Sequence, residues 1–196
     1  SEVLQLLLDR SPQKVARTET RHYVDPAGNP HVGTTITTRD PPVIQLQFNK
    51  QKFGINPFAS TPALDVANSF QQYFDEPARA DDGPFIDGGV TYRPVRTERT
   101  LNNPPSLWVH LVRHETTGAF LTYRDRKITT PAIVPATLEV NHNPYDLDAF
   151  VVHHGSSLHG GHYTAYVKRD NQWYHCNDTT VTQVSENTAR AASRDA

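Results

Sequence analysis

Apolar and polar residues alternate most clearly in the last quarter of the chain. Within residues 162–167 (HYTAYV) every second side chain falls on the same face, which is typical of a half-buried strand. The polar run RDNQ then predicts a turn, and residues 172–176 predict a returning strand. The two open ends of an antiparallel hairpin face each other, so we expect His162 within side-chain reach of Asn177 or Asp178.

The same patterns divide the rest of the chain into short strands and few helices. An apolar run predicts a helix over residues 1–10, and a second helix lies within residues 58–74. The segment DPAGNP has the residues that hairpin turns require. Residues 75–89 predict a polar loop, and residues 187–196 a short helix or a frayed tail. The other predicted strands cover residues 18–24, 31–38, 41–48, 91–101, 107–114, 120–123, 132–138 and 145–153.

Composition limits the classes of function. The chain has 196 residues, 36% of them hydrophobic, and 15 prolines, which favours one loop-rich β domain. A formal net charge of −2 without a basic block argues against a nucleic-acid partner. No apolar run approaches the length of a membrane span. The single cysteine suits a reducing compartment, the cytoplasm or the nucleus. Because the sequence lacks methionine, we expect it to be part of a longer chain.

Three segments resemble the histidine box of ubiquitin-specific proteases: AFVVHHG (149–155), GGHYTAYVK (160–168) and WYHCND (173–178). These enzymes are papain-like cysteine proteases that cleave after the C-terminal Gly-Gly of ubiquitin. PPSLWVHLVR (104–113) resembles the strand that precedes the box. The resemblance implies an α+β fold of the papain-like superfamily, with a mostly antiparallel palm sheet, a fingers extension and few helices. Residues 1–196 would form the fingers and palm of one catalytic domain.

The resemblance also implies roles for the residues of the hairpin. His162 would take the proton from a cysteine thiol. Asn177 aligns with the third triad position and is preferred over Asp178 as the group that orients the ring. Asp178 would supply negative charge or a structural cap.

A second group of residues would bind the tail of the substrate, ubiquitin or a ubiquitin-like protein. Gly160 and Gly161 remove side-chain bulk where an extended ligand backbone approaches the imidazole. Tyr163, the residue after the histidine, belongs to the same expected tail-binding set.

The cysteine turn of the resembling family, a Gly-Asn-Thr-Cys-like sequence, does not occur in these residues. A lone buried cysteine is more typical of a core than of a nucleophile, so we expect Cys176 to be structural. The nucleophile and most of the thumb are then expected in a segment upstream of residue 1 or on a separate chain. The helix over 1–10 would be the last thumb helix or, less favoured, the helix after the catalytic cysteine. The alternative function is an inactive ubiquitin-binding pseudoprotease or scaffold.

Several histidines could in principle hold zinc: His153, His154, His159, His162 and His175. The segment from His153 to Gly155 matches the resembling box without a metal, and His159 lies in the variable loop of that box. The Cys-x-x-Cys pairs that hold zinc in the fingers of many members are missing from the sequence. We therefore expect no metal and no other cofactor.

Overall fold

The computed structural model describes residues 15–40, 43–47, 64–79, 82–117, 124–157 and 160–196. The predicted helix over 1–10 and the predicted strand over 120–123 lie outside the described residues, as do the first residues of the helix expected within 58–74. The chain forms two compact units, each assembled from several segments of the sequence, and each unit contains a sheet of its own.

The helices and strands are mostly short. In chain order the strands are β1 Val15–Val24, β2 Pro30–Asp40, β3 Val43–Gln47, β4 Leu64–Asp65, β5 Asp75–Pro77, β6 Phe85–Asp87, β7 Val90–Leu101, β8 Trp108–Val112, β9 His114–Thr117, β10 Arg124–Lys127, β11 Ala132–Ile133, β12 Thr137–Val140, β13 Asn143–Asp146, β14 Ala149–His154, β15 His162–Arg169, β16 Gln172–Asn177 and β17 Thr180–Val184. The helices are α1 Val66–Phe74 and α2 Glu186–Ala192, and a 3₁₀ turn, Ser193–Asp195, follows α2.

The first unit is built on a five-stranded antiparallel sheet in the order β2-β1-β7-β5, with β6 also paired to β7. The predicted hairpin turn closes as expected, because Asp25 Oδ1 accepts the backbone N–H of Asn29 at 2.8 Å. The Arg99 guanidinium donates to Glu19 on β1 at 3.0 Å and to Glu76 on β5 at 2.8 Å. The first ion pair joins β7 to β1, and the second joins β7 to β5.

The prediction of a polar loop over residues 75–89 was wrong at both of its ends. Residues Asp75–Pro77 pair with β7 as a strand, where the Arg96 guanidinium donates to Asp75 at 2.9 Å. Phe85–Asp87 forms a hairpin with β7 across Gly88 and Gly89, whose φ angles are 55° and 80°. A run of polar residues can therefore be an edge strand when charges on the neighbouring strand match it.

The second unit contains the sheet that matters for the site, ordered β14-β15-β16-β17 with every neighbouring pair antiparallel. On one face of this sheet, the side chains of Val152, Thr164 and Trp173 are buried. Helix α2 contacts β16, and its Ala189 is fully buried. Ser185 caps this helix by accepting the backbone N–H of Thr188 at 3.1 Å. The expected short helix within 187–196 is confirmed, while β17 was not predicted.

Three predicted strands are each divided into two shorter ones. Between β8 and β9 lies Arg113, whose guanidinium donates to the carbonyls of Ile128, Thr130 and Ala196. Between β13 and β14, the N–H of Leu147 donates to the Ala136 carbonyl at 2.8 Å. The third break separates β11 from β12, where Pro135 has no N–H to donate. No helix in the described part of the chain is long and apolar enough to cross a membrane.

Candidate active site

The hairpin β15–β16 carries His162 and Asn177 together at its open end. His162 is the first residue of β15 and Asn177 is the last residue of β16. The His162 Nε2 donates to Asn177 Oδ1 at 2.6 Å, and both side chains are exposed. An amide oxygen can only accept, so Nε2 carries the proton and Nδ1 is the basic nitrogen of the neutral ring. The amide therefore fixes both the orientation and the tautomer of the imidazole.

Asp178 occupies the two-residue turn between β16 and β17. Asn177 and Thr180 pair on either side of this turn, and Asp178 has a φ of 50°. Aspartate tolerates this left-handed conformation better than most residues. Among the described residues, His162 is bonded to Asn177, and no hydrogen bond joins it to Asp178. Asp178 therefore lies in the turn next to the His162–Asn177 hydrogen bond and does not take part in that bond.

An aromatic column supports the sheet on the face that carries His162. The Phe150 and Tyr166 rings stack with centroids 4.9 Å apart, and the Tyr166 and His175 rings stack at 4.6 Å. The three residues lie on β14, β15 and β16, so the column crosses all three strands. Such pairs stabilise a sheet beyond the area that they bury.

A second interaction on this face involves His154, the residue directly opposite His162 on the neighbouring strand. His154 pairs with His162 across the strands, and its Nε2 makes a 2.8 Å hydrogen bond with the buried Thr164 hydroxyl. Their imidazole centroids are 6.2 Å apart. This packing limits the positions that the backbone of His162 can adopt.

The two glycines before His162 are in different environments. A Cβ on Gly161 would collide with the His153 ring and the His154 carbonyl oxygen, whereas a Cβ on Gly160 would meet no atom within 4 Å. Gly161 is therefore required by packing within the chain itself. Tyr163 lies on the opposite face from His162, where it stacks on His153 with centroids 4.5 Å apart. Tail binding by these residues stays a prediction.

Cys176 lies on the face of the sheet opposite to His162. It pairs with Ala165 on β15 and with Val181 on β17, and Ala165 pairs in turn with Val151. Alternation along β15 puts the Ala165 side chain on the other face from those of His162 and Thr164. Val151 and Val181 in this row are exposed. The thiol of Cys176 is therefore separated from the His162 ring by the sheet.

The structure gives the candidate zinc ligands other partners. His153 stacks on Tyr163, His154 bonds to Thr164, and His175 stacks on Tyr166. His159 lies outside the described residues. In the described ranges, no three histidine, cysteine, aspartate or glutamate side chains are grouped so that they could hold a metal.

Lys127 is a site neighbour that no sequence pattern indicated. Its ammonium donates to the carbonyls of His153 at 2.6 Å and Gly155 at 2.7 Å. Burial, and then the nearby Lys127 charge, lower the pKa of His153. Burial also lowers the pKa of Lys127 itself. Lys127 lies in the charged run RDRK, which reads as a solvated surface, so only the folded arrangement shows its partners.

Comparison with known proteins decides the family. The sequence model described as ubiquitin carboxyl-terminal hydrolase matches residues 1–194. The chain belongs to the ubiquitin carboxyl-terminal hydrolase family. The family that the histidine box indicated is thereby confirmed, and the match extends over residues 1–194.

Individual proteins match this chain in sequence or in fold. Ubiquitin carboxyl-terminal hydrolase 3 of Mus musculus is 54% identical over 48 residues, which are 24% of this chain and 9% of the relative. The structure of the SAGA DUB module Ubp8/Sgf11/Sus1/Sgf73 bound to monoubiquitin covers 100% of this chain with a TM-score of 0.66 and 18% identity. An essential yeast splicing factor covers 97% of it with a TM-score of 0.51 and 15% identity.

These matches confirm the expected α+β papain-like fold, with mostly antiparallel sheets and, in the described part of the chain, two α-helices. The chain spans 44% of the DUB-module chain and 42% of the splicing factor. The comparisons thus show the family and the fold of this chain.

Proposed function

We propose that these residues form the base-bearing part of a deubiquitinating cysteine peptidase. It would cleave isopeptide or peptide bonds after the C-terminal Gly-Gly of ubiquitin or a ubiquitin-like modifier. The observation that carries the proposal is the 2.6 Å hydrogen bond from His162 Nε2 to Asn177 Oδ1, which leaves Nδ1 basic. A base held in this way by an amide is one half of a cysteine–histidine–asparagine triad.

The nucleophile of this reaction comes from outside the 196 residues. The sequence contains one cysteine, and Cys176 lies across the sheet from His162. A general base must come within hydrogen-bond reach of the proton that it takes. A thiol supplied by another segment or another chain is therefore part of the proposal, and the oxyanion-hole donors accompany it.

The reaction then proceeds in two halves. Nδ1 of His162 takes the thiol proton, the thiolate attacks the scissile carbonyl, and a thioester forms as the C–N bond breaks. The imidazolium gives its proton to the leaving lysine amine. In the second half the neutral ring takes a proton from water, and the resulting hydroxide attacks the thioester carbonyl. The C–S bond breaks to release the carboxyl group of the modifier, and the imidazolium returns its proton to the thiolate. Asn177 orients the ring throughout, although its amide stabilises imidazolium less than a carboxylate does.

Turnover of a fluorogenic ubiquitin conjugate tests the proposal directly. We expect hydrolysis by the full-length protein that carries these residues and none by residues 1–196 alone, because no thiol in the shorter chain faces His162. Hydrolysis by the short chain that disappears in Cys176→Ser would contradict both the proposal and the structural assignment of Cys176.

A second candidate function is a ubiquitin-binding module without catalysis. The observation that favours it is that the one cysteine of this sequence, Cys176, lies on the face of the sheet opposite to His162. Binding of ubiquitin by the full-length protein without any turnover would select this candidate.

The glycine pair tests the expected path of the substrate tail. Gly161→Ala should lower the free energy of unfolding by about 1–3 kcal/mol, because its Cβ would overlap His153 and His154. Gly160→Ala should unfold like the wild type, since its Cβ has open space around it. If the tail passes here, Gly160→Ala will lower kcat/KM without loss of stability. Thermal unfolding and steady-state kinetics of both variants give the answer, and unchanged kcat/KM in Gly160→Ala would exclude Gly160 from the tail path.

A further inference from the structure

Lys127 holds the end of the strand against which His162 is placed. Its ammonium donates to the carbonyl of His153 at 2.6 Å and to that of Gly155 at 2.7 Å. His153 is the second-last residue of β14, and Gly155 is the residue that follows this strand. Charge-assisted hydrogen bonds are about twice as strong as neutral ones, so this pair is a strong local restraint.

The restrained residues are in contact with the backbone that leads into His162. A Cβ on Gly155 would lie 3.4 Å from the Gly160 carbonyl oxygen and 3.4 Å from the Gly161 Cα, which shows how closely these segments approach. Gly161 in turn lies against the His153 ring and the His154 carbonyl. Lys127, the end of β14, the two glycines and His162 therefore form one continuous series of contacts.

Lys127 is held by its two hydrogen bonds to backbone carbonyls, and its surroundings act against its charged form. Burial lowers its pKa, the Arg113 guanidinium lowers it further, and the Asp195 carboxylate opposes both effects. Arg113 is itself engaged with backbone carbonyls of residues 128, 130 and 196. Because both of its acceptors are backbone carbonyls, the Lys127 ammonium is a positioned donor, in contrast to Arg126 on the same strand, which pairs with the Glu115 side chain at the surface.

We propose that Lys127 is a positioning residue for catalysis: by bridging the His153 and Gly155 carbonyls it sets the backbone of His162, and through it the angle at which Nδ1 meets the nucleophile. This inference rests on the proposed function. A displacement of a catalytic group by about 1 Å can cost about 10²-fold in rate, so loss of the bridge acts mainly on kcat.

The test compares three variants of the full-length protein. We expect Lys127→Met to lower kcat by about tenfold to 10²-fold with little change in KM. Lys127→Arg should restore most of the loss, because a guanidinium also donates to two carbonyls. Arg126→Met removes the same charge from the neighbouring residue and should leave kcat within about twofold of the wild type.

A second measurement separates positioning from stability. In ¹⁵N spectra of the imidazole rings, Lys127→Met should shift the His162 Nε2 and Nδ1 signals, while Lys127→Arg and Arg126→Met leave them in place. Should Lys127→Met fail to fold, Lys127→Gln, which keeps one donor, is measured in its place. Failure of both to fold would assign Lys127 to stability alone and overturn the positioning role.

Two further outcomes separate a failure of the positioning role from a failure of the proposed function. Equal kcat and unshifted His162 signals in Lys127→Met and Arg126→Met would overturn the inference while leaving the proposed function intact. A wild-type protein without turnover would overturn the proposed function, and the His162 ring signals would then still decide whether Lys127 positions that ring.

Discussion

His162→Ala is expected to lower kcat of the full-length protein by about 10⁴-fold or more with little change in fold. Removal of a triad base leaves the thiol without a proton acceptor, and single triad deletions in serine peptidases cost about this much. The side chain is exposed at the start of β15, so its removal opens no cavity. Steady-state kinetics on a ubiquitin conjugate, with circular dichroism to check the fold, provide the measurement.

His114→Ala is the matched control for this variant. His114 is an exposed histidine on β9, so the same substitution there should leave kcat nearly unchanged. A correctly folded His162→Ala protein with wild-type kcat would refute the assignment of His162 as the base.

The second large effect is expected at Asn177. Asn177→Ala removes the acceptor of the His162 Nε2 hydrogen bond and should lower kcat strongly with substrate affinity nearly unchanged, because ring orientation matters most in the transition state. Asn177→Asp should keep or raise activity, since a carboxylate accepts the same bond and also favours imidazolium. Asp178→Asn should be mild, because its side chain is not bonded to the ring in the described contacts.

The three variants decide between the two candidate orienting groups. If Asp178→Asn is the damaging change and Asn177→Ala is mild, the ring is held differently during catalysis from the arrangement in the structure. Equal, modest losses at both positions would mean that the amide and the carboxylate share the role.

The hairpin that carries the site was predictable because its signals are local. Alternation over residues 162–167 places His162 and Thr164 on one face, and the pairing of β15 with β16 follows that register. The predicted turn closes at Asp170 and Asn171, which have φ angles of 49° and 61°. Both values suit a tight hairpin turn, where aspartate and asparagine are favoured.

Features that depend on distant parts of the chain could not be predicted in this way. Lys127 bonds to His153 and Gly155, which lie 26 and 28 positions further along the chain. Nothing in the run RDRK distinguishes Lys127 from an ordinary surface charge. The strand Asp75–Pro77 exists because β7 offers it matching charges. The two glycines look alike in sequence, and only the position of the His153 ring separates Gly161 from Gly160.

The assignment of the nucleophile shows how sequence and structure combine. The sequence limits the thiols to one, Cys176, and suggests a structural role for it. The register Ala165–Cys176–Val181 then places that thiol on the face away from His162. Together, the single thiol and its position on the opposite face support the proposal that the nucleophile lies outside residues 1–196.

The most direct test of this account is to react the full-length protein with a ubiquitin probe that carries an electrophile at its C terminus, and to map the adduct by mass spectrometry. The account predicts an adduct on a cysteine outside residues 1–196, formed much more slowly in His162→Ala. An adduct on Cys176, or a folded protein that binds ubiquitin and forms no adduct, would contradict it.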